Sequence, residues 1–512
     1  MSWSHGYVSE VEYTAGYFVE LSPLQARWAL TCRGVRTRDL TRPRYLELGI
    51  GRGVSLAIHA AGGAGEYWGN DFNPAHCAEA EELMAVVGAG AQVTEASFDE
   101  LAQRDDLPTF DMIALHGVWS WISEANRGVV VDILRRKLAP GGVVYVSYNT
   151  TPGWTPMTPV RHLLQLHAER VGTESEGIVK RVEAALDFVD KLGDAGSLYF
   201  KANPRARERL NKFRDKSKKY VAHELMTADW HPMPFAQAAD ELAAAKLAHG
   251  ANATLLEQID ALHLTPAGQT MVSGISDVVL RETVRDFLSN TGFRRDYFVR
   301  GPRRLSNLEQ TEALRQFRVV LTEDPTTIEL EVKGSLGTAK LQESVYRPVI
   351  DALAQGNAQP KSLAELASTC SGTNFGHLVQ AVTVLIGKSA VALVQPDAEI
   401  EAALPRTRAL NQHLLDRARS SAENVYLASP VTSAGIFASR TEQLFLLAAR
   451  SGTSKPSGWA EHAWSVLSSQ GQRLMVDGKR VESEEDNRRE LVRQAEAFET
   501  MRLPVLRRLQ VV

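Results

Sequence analysis

A glycine-rich turn near the N-terminus carries the residues with the clearest potential for chemistry. The run Glu47–Gly53 has glycines at 49, 51 and 53; it follows a short strand pattern and precedes a helical one. Glycines let a backbone turn tightly and approach a ligand closely, where a Cβ atom would clash. A dinucleotide-binding fingerprint would need its third glycine at the position of Val54, and the Glu47 carboxylate would repel a pyrophosphate. The turn therefore favours a cationic ligand that has no phosphate.

S-adenosylmethionine (SAM) is a ligand of that kind, because its amino group and its sulfonium are both positively charged. We predict that the turn binds SAM, the alternative being a strand-to-helix turn without a ligand. Asp71 ends a second strand pattern, 20 residues after Gly51. An acidic residue there accepts hydrogen bonds from ribose hydroxyls, and its alternative role is to cap the next helix. The predicted cofactor-binding residues are Glu47, Gly49, Gly51, Gly53, Asp71, Phe72, Ser97, Phe98 (alternatively a buried core residue) and His116.

Aromatic and hydrogen-bonding residues follow the fourth and fifth strand patterns, in the runs His116–Trp121 and Ser147–Trp154. Ligands bind at the carboxyl ends of the strands in open α/β sheets. We therefore expect both runs to border one cavity, the alternative being plain packing. If the segment after strand four turns helical, one of its two tryptophans points into the core. The predicted catalytic residues are His116, Tyr148 and Asn149, the predicted substrate-binding residues are Trp119, Trp121 and Tyr17, and the predicted lid is formed by Tyr13, Tyr17 and Phe18.

Strands and helices alternate from Tyr45 to Tyr148, which predicts a parallel sheet covered by helices on both faces. The predicted fold class is α/β, with a Rossmann-like class I methyltransferase sheet, a helical insertion, and a winged-helix-like and mainly helical C-terminal region. The predicted domains are a SAM-binding domain (1–154), a helical insertion (155–222), a region that completes the sheet (223–305), a winged-helix-like domain (306–398) and a mainly helical region (399–512).

Composition narrows the class of protein. The 512 residues suggest about three domains, and the net charge of −4 gives no global attraction to nucleic acid. Cys32, Cys77 and Cys370 are scattered without a CxxC pair, so we expect neither a metal site nor disulfides, and a cytoplasmic location. There is no signal-peptide pattern and no apolar run of membrane-spanning length, so we expect no membrane insertion. The basic run Lys201–Lys219 is typical of a solvated helix face, with docking of an acidic partner as the alternative.

The sequence resembles bacterial methyltransferases that carry a methyltransferase regulatory domain, whose best-known members are the rickettsial outer-membrane-protein lysine methyltransferases. The matching stretches are Tyr45–Gly53, Gly69–Pro74, His116–Ile122, Leu138–Trp154, Ala222–Leu225 with Pro232–Phe235, and Asp277–Arg300. The resemblance implies SAM binding by Glu47, Gly49, Gly51 and Asp71. It leaves the acceptor open, with protein lysine as an analogy.

Methyl transfer from a sulfonium is an in-line displacement, so such an enzyme mainly supplies positioning. A lysine acceptor must first lose a proton, and an aromatic pocket disfavours its charged form. The general base is left open between His116 and Tyr148. Two other functions are weighed: a non-catalytic SAM-binding regulatory protein, and an NAD-dependent oxidoreductase. The expected partner is a protein or small-molecule methyl acceptor and not nucleic acid; a homodimer is left open.

Overall fold

The computed structural model describes residues 7–8, 16–88, 90–172, 174–476 and 478–512. Within these residues, seven strands form a central sheet. They are β1 (Arg44–Leu48), β2 (Glu66–Asp71), β3 (Ala91–Glu95), β4 (Phe110–Leu115), β5 (Leu138–Asn149), β6 (Leu247–Asn252) and β7 (Phe293–Arg300). Their order across the sheet is β3-β2-β1-β4-β5-β7-β6. The strands β1 to β5 run parallel to one another, and β7 is antiparallel to both of its neighbours.

Helices connect the parallel strands, and local sequence fixes where they begin. The Asn73 side chain accepts a hydrogen bond from the N–H of Ala75, with Pro74 in the first turn. Ser97 and Glu100 form a reciprocal capping box at the start of the following helix. The helices of this part are α1 (Pro23–Cys32), α2 (Val54–Gly62), α3 (Pro74–Val87), α4 (Phe98–Ala102) and α5 (Glu124–Lys137).

A helical segment separates β5 from β6, and the chain then returns to the sheet. β7 pairs along most of β5, from Val143 opposite Val299 to Asn149 opposite Phe293. Strands from the predicted region 223–305 therefore lie in the same sheet as the N-terminal strands. The intervening helices are α6 (Thr158–Arg170), α7 (Gly177–Asp194), α8 (Leu198–Ala202), α9 (Pro204–Arg214), α10 (Lys218–Met226) and α11 (Phe235–Ala243), and α12 (Asp260–His263), α13 (Pro266–Ser273) and α14 (Val278–Ser289) lie between β6 and β7.

The C-terminal region is mainly helical and contains small sheets. In one of them Arg318–Leu321 lies between Lys361–Ser362 and Val391–Val394. The remaining pairings are Val35–Arg36 with Arg303–Arg304, Glu331–Gly334 with Gly337–Lys340, Tyr426–Ser429 with Ala434–Phe437, and Met475–Val476 with Lys479–Arg480. The helices are α15 (Asn307–Gln316), α16 (Glu343–Ala354), α17 (Leu363–Thr369), α18 (Phe375–Gly387), α19 (Asp397–Arg417), α20 (Arg440–Arg450), α21 (Pro456–Ser469), α22 (Glu484–Ala497) and α23 (Leu503–Arg508). The winged-helix arrangement and the domain boundaries stay predictions.

The two faces of the sheet are covered by separate cores. On one face Tyr45 and Tyr145 belong to a core that extends through the C-terminal region to Val511. On the other face Leu46 and Tyr148 belong to a second core, and the helical insertion has a third. The predicted α/β architecture is confirmed. Among the described residues, no helix has both the length and the apolar character that crossing a membrane requires.

Candidate functional site

A cavity of about 680 Å³ lies at the carboxyl ends of β1, β2 and β4. Its volume is in the range of small-molecule and cofactor sites. Glycine-turn residues form one wall, and residues of α10 and the turn after it form another. The predicted residues that line it are Glu47, Gly49, Gly51, Gly53, Asp71, Phe72, Ser97, Phe98, His116 and Trp121. The structure therefore brings all of the predicted cofactor-binding residues to one place.

The glycine turn depends on its glycines for conformation and for space. Gly49, Gly51 and Gly53 have φ values of 71°, 53° and 74°, in the left-handed region that glycine adopts without a steric cost. A Cβ on Gly49 would lie 2.6 Å from the Val118 side chain, and one on Gly53 would lie 2.6 Å from the Cβ of Ala80. The turn can therefore approach Val118, after β4, and Ala80 of α3 closely only with glycine at 49 and 53.

Asp71 ties the second strand to this turn. One of its carboxylate oxygens accepts a hydrogen bond from the N–H of Gly51 at 2.8 Å, and the other accepts one from the N–H of Asn73 at 3.0 Å. The cap of α3 is Asn73, so the alternative role of Asp71 as that cap is not what the structure shows. A carboxylate oxygen has a second lone pair, which leaves Asp71 able to accept further hydrogen bonds from a ligand in the cavity.

Glu47 is a buried carboxyl group at the edge of the cavity, with 3% of its surface exposed. The Tyr45 hydroxyl donates a hydrogen bond to it at 3.0 Å. Burial raises the pKa of Glu47 to about 8, because no cation among the described residues offsets the loss of water around the charge. A positive group placed in the cavity would stabilise the carboxylate.

Two phenylalanines and a helix start form the third part of the wall. Phe72 packs edge-on against Tyr7, and Phe98 begins α4. The N–H of Ser97 donates to the Glu100 carboxylate at 2.8 Å. The first backbone N–H groups of a helix have no acceptor within the helix, so those of α4 can donate to a ligand. An aromatic ring system between Phe72 and Phe98 would contact apolar surfaces.

His116 lies in the cavity wall as a neutral imidazole. Its ring stacks on Phe18 with 3.5 Å between the ring centres, and its Nδ1 is 2.8 Å from the Tyr145 hydroxyl. Burial, aided by the nearby Arg295, lowers the pKa of His116 to about 3. Such an imidazole is a weak base, which argues against His116 as the group that removes a proton from an acceptor.

The two tryptophans after β4 point in different directions, as we expect for a segment that turns helical. Trp119–Trp121 forms a short 3-10 helix, so the two side chains point in different directions. Trp121 lines the cavity, whereas Trp119 is fully buried in the core under the second face of the sheet. The expectation that Trp119 contacts a substrate is wrong, because the turn directs it inward.

Tyr148 and Asn149 do not line the cavity, which corrects their predicted catalytic roles. Strand β5 extends to Asn149, so Tyr148 projects to the face opposite Tyr145. The Tyr148 hydroxyl donates to Asp296 at 3.1 Å, and the backbone N–H of Asn149 donates to Ser120 at 2.8 Å. Both residues therefore belong to the sheet and its packing.

The predicted aromatic lid is also revised. Phe18 lines the cavity, but Tyr17 is buried 4.9 Å from the Tyr426 ring, which contradicts its predicted substrate contact. Consecutive residues of an extended segment point to opposite sides, so the two could not both face the cavity. Tyr13 lies outside the described residues.

Sequence reasoning missed the contribution of α10 and the turn after it. The residues that they add to the cavity wall are His223, Glu224, Thr227 and Asp229. The stretch Ala222–Leu225 stood out only by its resemblance to the regulatory region. A helix more than 100 residues along the chain from the turn gives no local signal of where it packs.

Comparison with known families gives two matches. A family described as "Methyltransferase domain" matches residues 46–142, and one described as "Predicted methyltransferase regulatory domain" matches residues 217–300. An uncharacterised protein of Synechocystis is 37% identical over 516 residues, covering 100% of both chains. An uncharacterised protein of Rickettsia prowazekii is 22% identical over 341 residues, covering 66% of this chain and 60% of that one.

Solved structures show a similar fold over nearly the whole chain. PKMT2 from Rickettsia typhi superposes with a TM-score of 0.67 at 17% identity, covering 98% of this chain and 99% of that one. The same protein in complex with AdoHcy gives a TM-score of 0.69 at 18% identity, covering 95% and 98%. The likeness therefore includes the C-terminal region as well as the central sheet.

Proposed function

Because this chain belongs to the bacterial methyltransferases that carry a methyltransferase regulatory domain, we propose that its cavity binds SAM and directs the SAM methyl group to an amine, with a protein lysine side chain as the acceptor. The cofactor assignment rests on the buried carboxyl group of Glu47 in the cavity wall. A buried carboxyl group that has no cationic neighbour among the described residues fits a ligand that brings its own positive charge.

The other residues of the cavity suit the remaining parts of SAM. Asp71 has lone pairs left for ribose hydroxyls, and Phe72 and Phe98 offer apolar faces for an adenine ring. The positive φ values of the turn bring its backbone close to the ligand. PKMT2 from Rickettsia typhi, which shares the fold, has been solved with AdoHcy, the demethylated product of SAM.

When bound, SAM supplies a methyl group that is already activated by its sulfonium. The chain then has to hold and orient the two reactants and exclude water. Glu47 would hold the SAM amino group, and the glycine turn would fix the position of the sulfonium relative to β4. His116 and Phe18 would shield that end of the cavity from water, with the imidazole kept neutral by burial.

An amine acceptor is supported by the charge of the wall and by its aromatic residue. Glu224 and Asp229 line the cavity on the side of α10, where a positively charged amine would be attracted. Trp121 offers a ring face there, and ring faces bind methylated cations. The family analogy adds protein lysine as the source of the amine.

The test is transfer of labelled methyl from SAM to proteins in a clarified extract of the source cells. We expect acid-stable label that is recovered as N-methyl-lysine after hydrolysis, and AdoHcy should suppress it. Label recovered on oxygen, sulfur or nucleic acid would contradict the lysine assignment, and absence of transfer together with absence of SAM binding would contradict the whole proposal.

A further inference from the structure

The regulatory region builds one part of the cavity wall, here called the α10 end. Helix α10 and the turn after it contribute His223, Glu224, Thr227 and Asp229 to it. Trp121, from the turn after β4, lines the same cavity, and Arg161 lies 5.8 Å from its ring while donating to the backbone oxygen of Glu224. All four α10-side residues fall within the match to the regulatory domain at 217–300. The region named for regulation therefore supplies part of the wall of the site itself.

The cavity wall has more acidic residues than the cofactor needs. The acidic residues that line the cavity within the described chain are Glu47, Asp71, Asp99, Glu224 and Asp229. The arginine among the described lining residues, Arg52, is already paired with Glu79 at 2.6 Å and Glu423 at 2.5 Å. SAM would engage Glu47 and Asp71. The carboxyl groups of the α10 end are left for a second cation, because like charges held together in a cavity repel one another. One oxygen of Asp229 also lies 3.2 Å from the Nε2 of His231.

The surroundings of Glu224 leave its carboxylate without an ion pair within 4.0 Å among the described residues. Arg161 stacks over Trp230 at 4.7 Å and donates to the backbone oxygens of Glu224 and Thr227. Arg209 stacks over Trp154 at 4.1 Å and donates to the backbone of Gly153. Both arginines thus direct their hydrogens to main-chain oxygens.

The protonation of Glu224 is balanced by opposing effects. Burial raises its pKa; Arg161, a hydrogen bond from Tyr220 and Arg209 lower it in turn, and the result is a pKa of about 7. A carboxyl group with this pKa exchanges its proton readily near neutral pH, which is the property of an efficient general base. His223 is its neighbour on the same helix, and Asp229 is the other acidic residue of this end.

We propose that Glu224 is a catalytic residue of the acceptor subsite, which binds a primary ammonium group and removes its proton before methyl transfer. The inference rests on the proposed function and adds the residue that prepares the acceptor. A neutral hydroxyl or thiol acceptor would bring no positive charge to this end. A carboxylate or phosphate acceptor would be repelled by it.

The Glu224 carboxylate takes one proton from R–NH₃⁺ and becomes neutral, and the amine keeps the electron pair of the broken N–H bond. That pair forms the new N–CH₃ bond while the electrons of the S–CH₃ bond pass to sulfur. The products are a neutral thioether and R–NH₂⁺–CH₃, and the proton on Glu224 leaves to water.

The first experiment measures binding without turnover. AdoHcy-loaded protein is titrated with n-butylammonium chloride, and with n-butanol as the uncharged comparison, by saturation-transfer NMR. We expect the wild type to bind n-butylammonium more tightly than n-butanol. In Glu224→Gln this preference should fall about tenfold, while the AdoHcy affinity stays within about twofold of the wild-type value. Glu208→Gln, an exposed change on α9, is the matched control and should behave as wild type.

The second experiment measures transfer of labelled methyl to extract proteins. Removal of a general base predicts a fall of about a hundredfold or more in Glu224→Gln, with partial recovery in Glu224→Asp. If wild type and Glu224→Gln methylate equally and prefer the ammonium equally, this inference is wrong while the proposed function stands. If the wild type fails to bind AdoHcy, the proposed function fails.

Discussion

At the scale of single residues, Gly51 tests where the cofactor lies. Its φ of 53° makes valine unfavourable by about 1–2 kcal/mol, and the new side chain would stand at the cavity wall. We expect Gly51→Val to weaken AdoHcy binding at least about tenfold in calorimetric titration. Gly301→Val is the matched control, because Gly301 has a φ of 61° but open space around it. Equal AdoHcy affinity in the two variants would move the cofactor away from the turn.

A second residue-scale prediction concerns Glu47 and pH. Its folded-state pKa of about 8 is raised above the ordinary carboxyl value by burial. Between pH 4.5 and 8 the unfolded chain therefore releases this proton while the folded chain keeps it, and the free energy of unfolding decreases as pH rises. We expect Glu47→Gln to remove this part of the decrease. The melting temperature of the variant should therefore rise relative to that of the wild type between pH 5 and pH 8. A constant difference across that interval would show that Glu47 is not a buried, unpaired carboxyl group.

At the scale of elements, a buried ion cluster joins β5, β6, β7 and α14. Arg294 donates to Asp296 at 2.7 Å and to Asp286 at 2.7 Å, and it also reaches Glu282 at 3.1 Å. Burial alone would raise the pKa of Asp296, but Arg294 and then His249 outweigh it and hold that pKa below its usual range. The cluster therefore fixes the late strands of the sheet to α14.

Tyr148→Phe tests this element. The change removes the hydroxyl that donates to Asp296 and leaves a buried acceptor with one partner fewer. We expect a loss of about 1–3 kcal/mol in the free energy of unfolding, measured by urea denaturation. AdoHcy affinity and the methyl-transfer rate of the folded protein should stay at the wild-type level. A transfer rate reduced tenfold with unchanged stability would return Tyr148 to the catalytic site.

The same elements show what could be predicted from the sequence. The glycine turn, Asp71 and the strand alternation were predictable because each depends on residues close in the chain. The direction of Tyr148 was not, because it depends on how far β5 pairs with β7, and Asp296 lies 148 residues further along. The side-chain direction of Trp119 depends on whether the segment after β4 stays extended or turns helical. The position of Glu224 in the cavity wall depends on where a helix far along the chain packs.

At the scale of the whole molecule, the C-terminal region supports the site. Arg52 of the glycine turn binds Glu79 of α3 and Glu423, and Arg417 of α19 binds the same Glu79 at 2.6 Å. The backbone oxygens of Phe18 and Ser433 lie 3.2 and 3.4 Å from the two ring nitrogens of His59. The C-terminal region therefore contacts the glycine turn through Arg52, and it contacts Tyr17, next to Phe18, through the ring of Tyr426 at 4.9 Å.

Glu423→Gln tests this support. The Glu423 side chain is 46% exposed, so its ion pair with Arg52 is screened by solvent and contributes modestly. We expect AdoHcy affinity to fall about two- to fivefold, with the difference shrinking at high salt. Glu401→Gln, an exposed change on α19, should leave the affinity unchanged. An affinity in Glu423→Gln equal to that of the control would mean that the C-terminal region does not position the turn.

The measurement that tests the account most directly is the dissociation constant for SAM in the wild type and in Glu47→Gln, determined by calorimetry at neutral pH. We expect one SAM per chain in the wild type and binding weaker by at least about tenfold in the variant, because the SAM amino group loses its carboxylate partner. Wild-type protein that does not bind SAM, or a variant whose dissociation constant lies within twofold of the wild type, would contradict it.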